Sequence, residues 1–564
     1  MKLTQYLLFL STVAICWEYC CAGSEVKTKQ GSVSGKELTS RKGRKFLGFS
    51  GIPYAEPPIG SLRFKSPVPK KKWSSTLEAV KDGKECIQLQ QGNVRGSEDC
   101  LYLNVYTPKL NPKSLLPVIV YIHGGWYLEG NASIVTTGPQ YLLDSDIVFV
   151  TFNYRLGIFG FLSSGDSEAP GNFALKDQVL VLEWVQENIR NFGGDPKEVT
   201  IYGEGAGADS VGLLTLSEKS KHLFKRYSTH SGNALKPHAF TSDSSYYNKA
   251  KEVAGKFGCS TSNSKSMIEC LRGIDASKLV KVTSVFNEIE RALNIEWRAT
   301  KEPSGKDAIL TDSPANLMQK NKLKDCPALT GTVKDMGAQF ALALYKNQEL
   351  FKKLKNDHKY GIESMLKLYE PLRGKDLTEL TKKIYHYYLN LTVPDGKDPD
   401  LYRYMLFVGD LFFLYPQVVF SKYLQKKTKS PVYVASLDYR GALSYAIPLD
   451  EVLGDDIVSL GDDSFYMFPR TSKAIGPQYN IQRAKQDYKI IDLIGELLFA
   501  FVSGRKPTAP GIGQNDTWVP FSENSFLSIG NKHDTSSVQM NIKDDAQIQR
   551  IQFWFENVPQ YNLG

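Results

Sequence analysis

Val199-Thr200-Ile201-Tyr202-Gly203-Glu204-Gly205-Ala206-Gly207-Ala208 begins as an apolar, β-branched run and breaks into alternating glycines and small residues. A helical pattern follows over residues 210–216. The passage reads as a buried strand, a tight turn and a helix. Similar runs lie on both sides of it. Residues 118–122 (VIVYI) end at His123-Gly124-Gly125, and residues 147–152, 328–332 and 432–436 are strands of the same kind. Between them, residues 177–191 place Val179, Leu182, Trp184, Val185 and Ile189 on one helical face. Strands alternating with helices predict an α/β fold with a mainly parallel central sheet flanked by helices. No change of composition marks a linker, so residues 23–564 are expected to form one large domain with long insertions.

The chain has 564 residues, 42% of them hydrophobic and 23% charged, the balance of a globular protein. Its 69 basic and 60 acidic residues leave +9, a mild excess spread along the chain. Runs such as Lys70-Lys71-Lys72 read as solvated faces, and no nucleic-acid-binding module is present. Met1-Lys2 followed by the apolar residues 6–17 and then by Ala22-Gly23 has the form of a signal peptide over residues 1–22. Beyond it no run of about 20 apolar residues is evident, which predicts a secreted, extracellular chain without a transmembrane anchor.

Cysteine usage fits export. Cys86–Cys100 and Cys259–Cys270 are close enough in sequence to form local disulfides in an oxidising compartment, leaving Cys326 as a buried thiol. Asn131, Asn390 and Asn515 open Asn-x-Ser/Thr sequons and are glycosylation candidates. No spacing of His, Cys or Asp points to a metal, and no cofactor is implied.

Several ordered motifs carry a resemblance. Residues 49–58 (FSGIPYAEPP), 97–105 (SEDCLYLNV), His123-Gly124-Gly125, residues 152–157 (FNYRLG) and residues 171–178 are similar, in order, to signatures of the carboxylesterase/cholinesterase family. The similarity spans about residues 25–560. It implies the α/β-hydrolase fold and a Ser-Glu-His triad. A serine on a strand-to-helix elbow attacks the ester, a histidine takes its proton, and a buried carboxylate orients the imidazole. Backbone amides of the glycine loop, with that of the residue after the serine, hold the oxyanion. Carried over by position, those amides belong to Gly124, Gly125 and Ala206.

All three triad positions depart from the family pattern. The elbow reads Gly203-Glu204-Gly205-Ala206-Gly207, so the nucleophile position is Gly205. In residues 331–337 (GTVKDMG) the acid position is Met336, with Asp335 one residue early. In residues 460–468 (LGDDSFYMF) the histidine position is Leu460, and no histidine occurs between His386 and His533. Removing one triad member commonly costs about 10⁴-fold in rate. Ser210, inside the following helix, His222, His230 and Asp209 are read as structural residues.

The resemblance therefore points to the catalytically dead, esterase-like branch that includes the neuroligins, neurotactin, gliotactin and glutactin, which act in adhesion. It implies a secreted pseudo-esterase that works by binding an extracellular protein, with pairing into a homodimer as in other family members. An apolar small molecule carried in the remnant gorge, lined by Met336 and Leu460, is an alternative. An active carboxylic ester hydrolase with relocated residues is another. Trp126, beside the oxyanion glycines, is expected to fill part of the gorge.

Overall fold

A computed structural model describes residues 24–242, 244–469, 487–508, 512, 516–522, 525–532, 534–542 and 545–558. The signal-peptide segment 1–22 and Asn515 lie outside the described residues.

The centre is an 11-stranded mixed sheet. In chain order its strands are β1 (Lys36–Thr39), β2 (Lys45–Pro53), β3 (Tyr102–Thr107), β4 (Leu116–Ile122), β5 (Val148–Phe152), β6 (Gly194–Glu204), β7 (Arg226–His230), β8 (Ala328–Val333), β9 (Val432–Tyr439), β10 (Ser525–Lys532) and β11 (Asp534–Ile542). In space they run β11-β10-β9-β8-β7-β6-β4-β5-β3-β2-β1. Strands β4 to β10 pair in parallel, and the two flanks are antiparallel. Every residue of β5 and of β8 is buried, as expected of parallel strands covered on both faces.

Strand β4 pairs with β5 on one side and β6 on the other. The direction of winding reverses there, and in sheets of this type ligands bind outside the strand ends at such a switch point. Gly203 lies opposite Ile122. The turn after β6 and the loop 123–130 thus leave the sheet side by side.

The helices that position the site are α1 (Phe173–Asn188) and α2 (Ala206–Leu214). Helix α1 starts at Phe173, before the apolar periodicity becomes evident. Helix α2 starts directly after Gly205 rather than at Ser210, because small residues let its first turn press on the sheet. A Cβ on Gly207 would lie 2.0 Å from the Ile122 carbonyl oxygen, and one on Gly203 would lie 2.3 Å from the Gly207 carbonyl carbon.

Helices α3 (Pro399–Gly409) and α4 (Tyr415–Lys427) join through a π-helical turn at Asp410–Leu414. Together they form one 29-residue segment long and apolar enough to cross a membrane, and 89% of its most apolar stretch is buried inside the protein. The sequence reading overlooked this run. Its burial and its charge mark a core helix: Asp410 accepts hydrogen bonds from the Tyr388 hydroxyl at 2.8 Å and Arg550 Nε at 2.7 Å. Helices α5 (Tyr488–Val502) and α6 (Asp545–Asn557) complete the layers. Cys86–Cys100 and Cys259–Cys270 are bonded, and Cys326 is a buried free thiol.

Candidate functional site

Gly205 occupies the elbow with φ 54° and ψ −120°. A side chain is strained in this left-handed conformation, and glycine adopts it freely. A Cβ there would meet nothing within 4 Å, so the position faces open space. The Gly205 amide donates to the His230 carbonyl at 2.8 Å, which fixes the turn to β7.

The glycine loop closes over the same point. A Cβ on Gly124 would lie 2.7 Å from the Glu204 carbonyl oxygen, and one on Gly125 (φ 107°) 2.0 Å from the Glu129 carbonyl oxygen. Both glycines are therefore required by packing alone. Among the described residues, the amides of Gly124, Gly125 and Ala206 donate to no protein acceptor. They form a group of unused donors around the elbow. His123 anchors the loop: its ring stacks on Tyr154, and its carbonyl accepts from the Tyr154 hydroxyl at 2.7 Å. Burial pushes its pKa down to about 4, so it is neutral at physiological pH.

Met336 and Leu460 come together by backbone pairing. Asp335 and Ser459 form a parallel bridge, which sets the next residues, Met336 and Leu460, opposite each other. The Asp335 amide donates to the Val458 carbonyl at 3.0 Å. The Asp335 carboxylate turns back to accept the Val458 amide, also at 3.0 Å, and so faces away from the elbow. Gln339 Nε2 donates to the Leu460 carbonyl at 3.2 Å. A Cβ on Gly461 would lie 3.7 Å from Glu204 Oε1, which sets this loop beside the elbow. Met336 and Leu460 are both buried, at 4% and 6% exposure.

Beside this region is a cavity of about 20 Å³, lined by Trp126, Met336, Phe413, Lys236 and His238 among others. That is room for about one water. Met336 is among its lining residues and Leu460 is not. Trp126 is held at φ 60° with its ring 4.7 Å from that of His238.

Beneath Trp126 lies a charged cluster that sequence reasoning missed. Asp209, read as an ordinary helix-face residue, is completely buried on α2. Its Oδ2 lies 3.3 Å from Lys236 Nζ and 4.0 Å from His238 Nδ1, while Oδ1 accepts the Asn233 amide at 3.0 Å. Burial raises the Asp209 pKa to about 7 against the opposing pull of Lys236. Burial also lowers the pKa of Lys236, and that of His238 well below the usual imidazole value. Only an apolar run around Lys236 would have betrayed the cluster, and Ala234-Leu235-Lys236-Pro237 is too short to be distinctive.

Other candidate groups are committed elsewhere. Ser210 Oγ donates to the Tyr127 hydroxyl at 3.1 Å and accepts from Gln178 Nε2 at 3.0 Å. His230 stacks on Tyr202, with Nδ1 3.7 Å from Asp463 Oδ2, and burial lowers its pKa to about 4. Of the sequons, Asn390 is exposed at the end of its helix. Asn131 is half-buried and engaged: its Nδ2 donates to Glu85 Oε2 at 2.9 Å and its Oδ1 accepts from Thr136 Oγ1 at 2.6 Å. Among the described residues no three His, Cys, Asp or Glu side chains gather as a metal site.

Comparison with known proteins places this architecture. The pattern of the carboxylesterase family matches residues 22–554. The chain is 33% identical to a juvenile hormone esterase of Tribolium castaneum, over 98% of this chain and 99% of that protein. It is 35% identical to a carboxylic ester hydrolase of Bombus ignitus, over 97% and 96% of the two chains. The crystal structure of juvenile hormone esterase from Manduca sexta, with OTFP covalently attached, superposes with a TM-score of 0.80 at 24% identity, covering 94% of this chain and 99% of that one. The chain belongs to the carboxylesterase family, and its fold is the α/β-hydrolase fold.

Proposed function

We propose that this protein is a secreted, non-hydrolytic member of its family that acts by binding, through recognition of an extracellular partner. The observation that carries the reading is Gly205 at the elbow: no hydroxyl is available where the fold presents a nucleophile. Met336 and Leu460, paired beside it, offer neither a carboxylate nor an imidazole. The relatives bear the names of ester hydrolases, and hydrolysis by this chain would require a nucleophile elsewhere. Ser210 and Ser217, the serines nearest in sequence, are both buried.

The test is ester hydrolysis by the purified protein, together with covalent labelling by an organophosphate. Wild type and Gly205→Ser are expected to be silent. Gly205→Ser combined with Met336→Glu, Leu460→His and Trp126→Gly is expected to take the label. Turnover or labelling of the wild type would overturn the proposal.

A further inference from the structure

On the sheet face under α4 and α6, away from the elbow, lies a second cavity of about 300 Å³. Its size reaches the lower bound of small-molecule sites. Leu414 of the π-helical turn and Gln417, Val418 and Ser421 of α4 line it, residues three and four apart on one face. Helix α6 does the same with Ile548, Ile551 and Phe555, and Val434 of β9 and Phe526 of β10 form the floor. Val418, Ile548, Ile551 and Phe555 remain half-exposed, so apolar walls open to solvent.

Several polar groups of this pocket are committed to protein partners, and Gln552 Nε2 donates to Glu556 Oε1 at 2.7 Å. Gln417 Nε2 donates to Thr330 Oγ1 at 2.6 Å and to Ser421 Oγ at 3.0 Å, and its Oε1 accepts from Asn233 Nδ2 at 3.2 Å. The interior is left chemically apolar.

One lining group is ionised. Lys422 stands at the mouth with its Nζ 4.6 Å from the centre of the Phe555 ring. No carboxylate lies within 4.0 Å of it among the described residues. Most lysines that pack over a ring here, such as Lys236, Lys249, Lys353, Lys355 and Lys397, also have a carboxylate within that distance. Partial burial lowers the pKa of Lys422, the direction an ammonium takes when it loses water and gains no counter-ion.

We infer that this pocket binds a single-chain amphipathic carboxylate, with its tail between α4 and α6 and its carboxylate on Lys422. The tail replaces water on branched and aromatic side chains, and the head supplies the counter-ion. A single cation at the mouth matches a singly charged head. This site is separate from the gorge and does not depend on the state of the triad.

The experiment is calorimetric titration of the purified full chain with dodecanoate, with methyl dodecanoate as the uncharged control. Wild type is expected to bind dodecanoate saturably, one per chain, and the methyl ester about tenfold more weakly, as expected on losing a charge-assisted hydrogen bond. Lys422→Glu, at an exposed position, is expected to weaken dodecanoate by at least about tenfold and leave the ester unchanged. Val418→Trp, which fills the pocket, is expected to abolish both, with thermal melting as the check on folding. Absence of saturable binding to wild type, equal affinity for acid and ester, or dodecanoate binding indifferent to Lys422→Glu would each overturn the inference.

Discussion

Replacing Met336 by Glu and Leu460 by His, singly and together, tests the site geometry without asking for turnover. Met336 is 4% exposed, and its sulfur accepts the Val333 amide at 3.4 Å. Met336→Glu removes a buried apolar side chain and buries a carboxyl with that one donor, a cost of about 3 kcal/mol. Leu460→His alone forfeits buried apolar area for about 2 kcal/mol. The Asp335–Ser459 bridge sets the two positions opposite each other, so the double variant joins carboxylate to imidazole. A hydrogen bond between charged groups is worth about 2 kcal/mol beyond the sum of the single effects. Denaturant midpoints of the four proteins at pH 6 give the coupling directly. Additivity to within about 0.5 kcal/mol would refute the claim that these side chains face each other as a carboxylate–histidine pair.

Lys236→Met would leave the fully buried Asp209 without its cation, at a cost of about 3–5 kcal/mol at pH 8. The Asp209 pKa, already raised to about 7, rises further without Lys236, while the unfolded chain keeps an ordinary value near 4. Between those pH values the folded variant binds more protons than the unfolded one, so its stability falls as pH rises. The penalty is thus expected to be clearly smaller at pH 5 than at pH 8, and equal melting shifts at both would show that Asp209 is not the group left bare. Replacing Cys86 and Cys100 together by Ala opens a loop spanning 14 residues of sequence separation and should cost about 3 kcal/mol. A midpoint unchanged from wild type in non-reducing buffer would contradict a formed bond.

The parallel centre of the sheet was legible because both faces are covered. Strands such as Val148–Phe152 are buried at every residue and read as unbroken β-branched runs. The antiparallel flank was not read: Lys36–Thr39, on its outer edge, is largely exposed and lacks such a run. The glycines of the elbow and oxyanion loop were legible because backbone contacts forbid a Cβ at Gly124, Gly125 and Gly207. The small cavity beside Met336 was not, since it depends on how Trp126, Phe413 and Met336 meet across three distant segments. Asp209, Lys236 and His238 are likewise polar residues with no sequence pattern, and only the fold brings them together.

Stability accounts for part of this site and not for the rest. Glycine relieves the strain of a side chain at φ 54°. Methionine and leucine at 336 and 460 replace groups that are costly to bury. The Asp209–Lys236 pair runs the other way, because desolvating two charges seldom repays its cost relative to apolar residues of similar size. Its position shows what it secures. Lys236 Nζ lies 5.9 Å from the centre of the Trp126 ring and 4.7 Å from that of Phe413, and His238 meets the Trp126 edge. The cluster packs against Trp126, which with its neighbour Tyr127 stands at φ values of 60° and 62°, conformations that neither residue adopts cheaply. Removing either charge would leave the other buried and unpaired beside Trp126, so the two are kept or lost together.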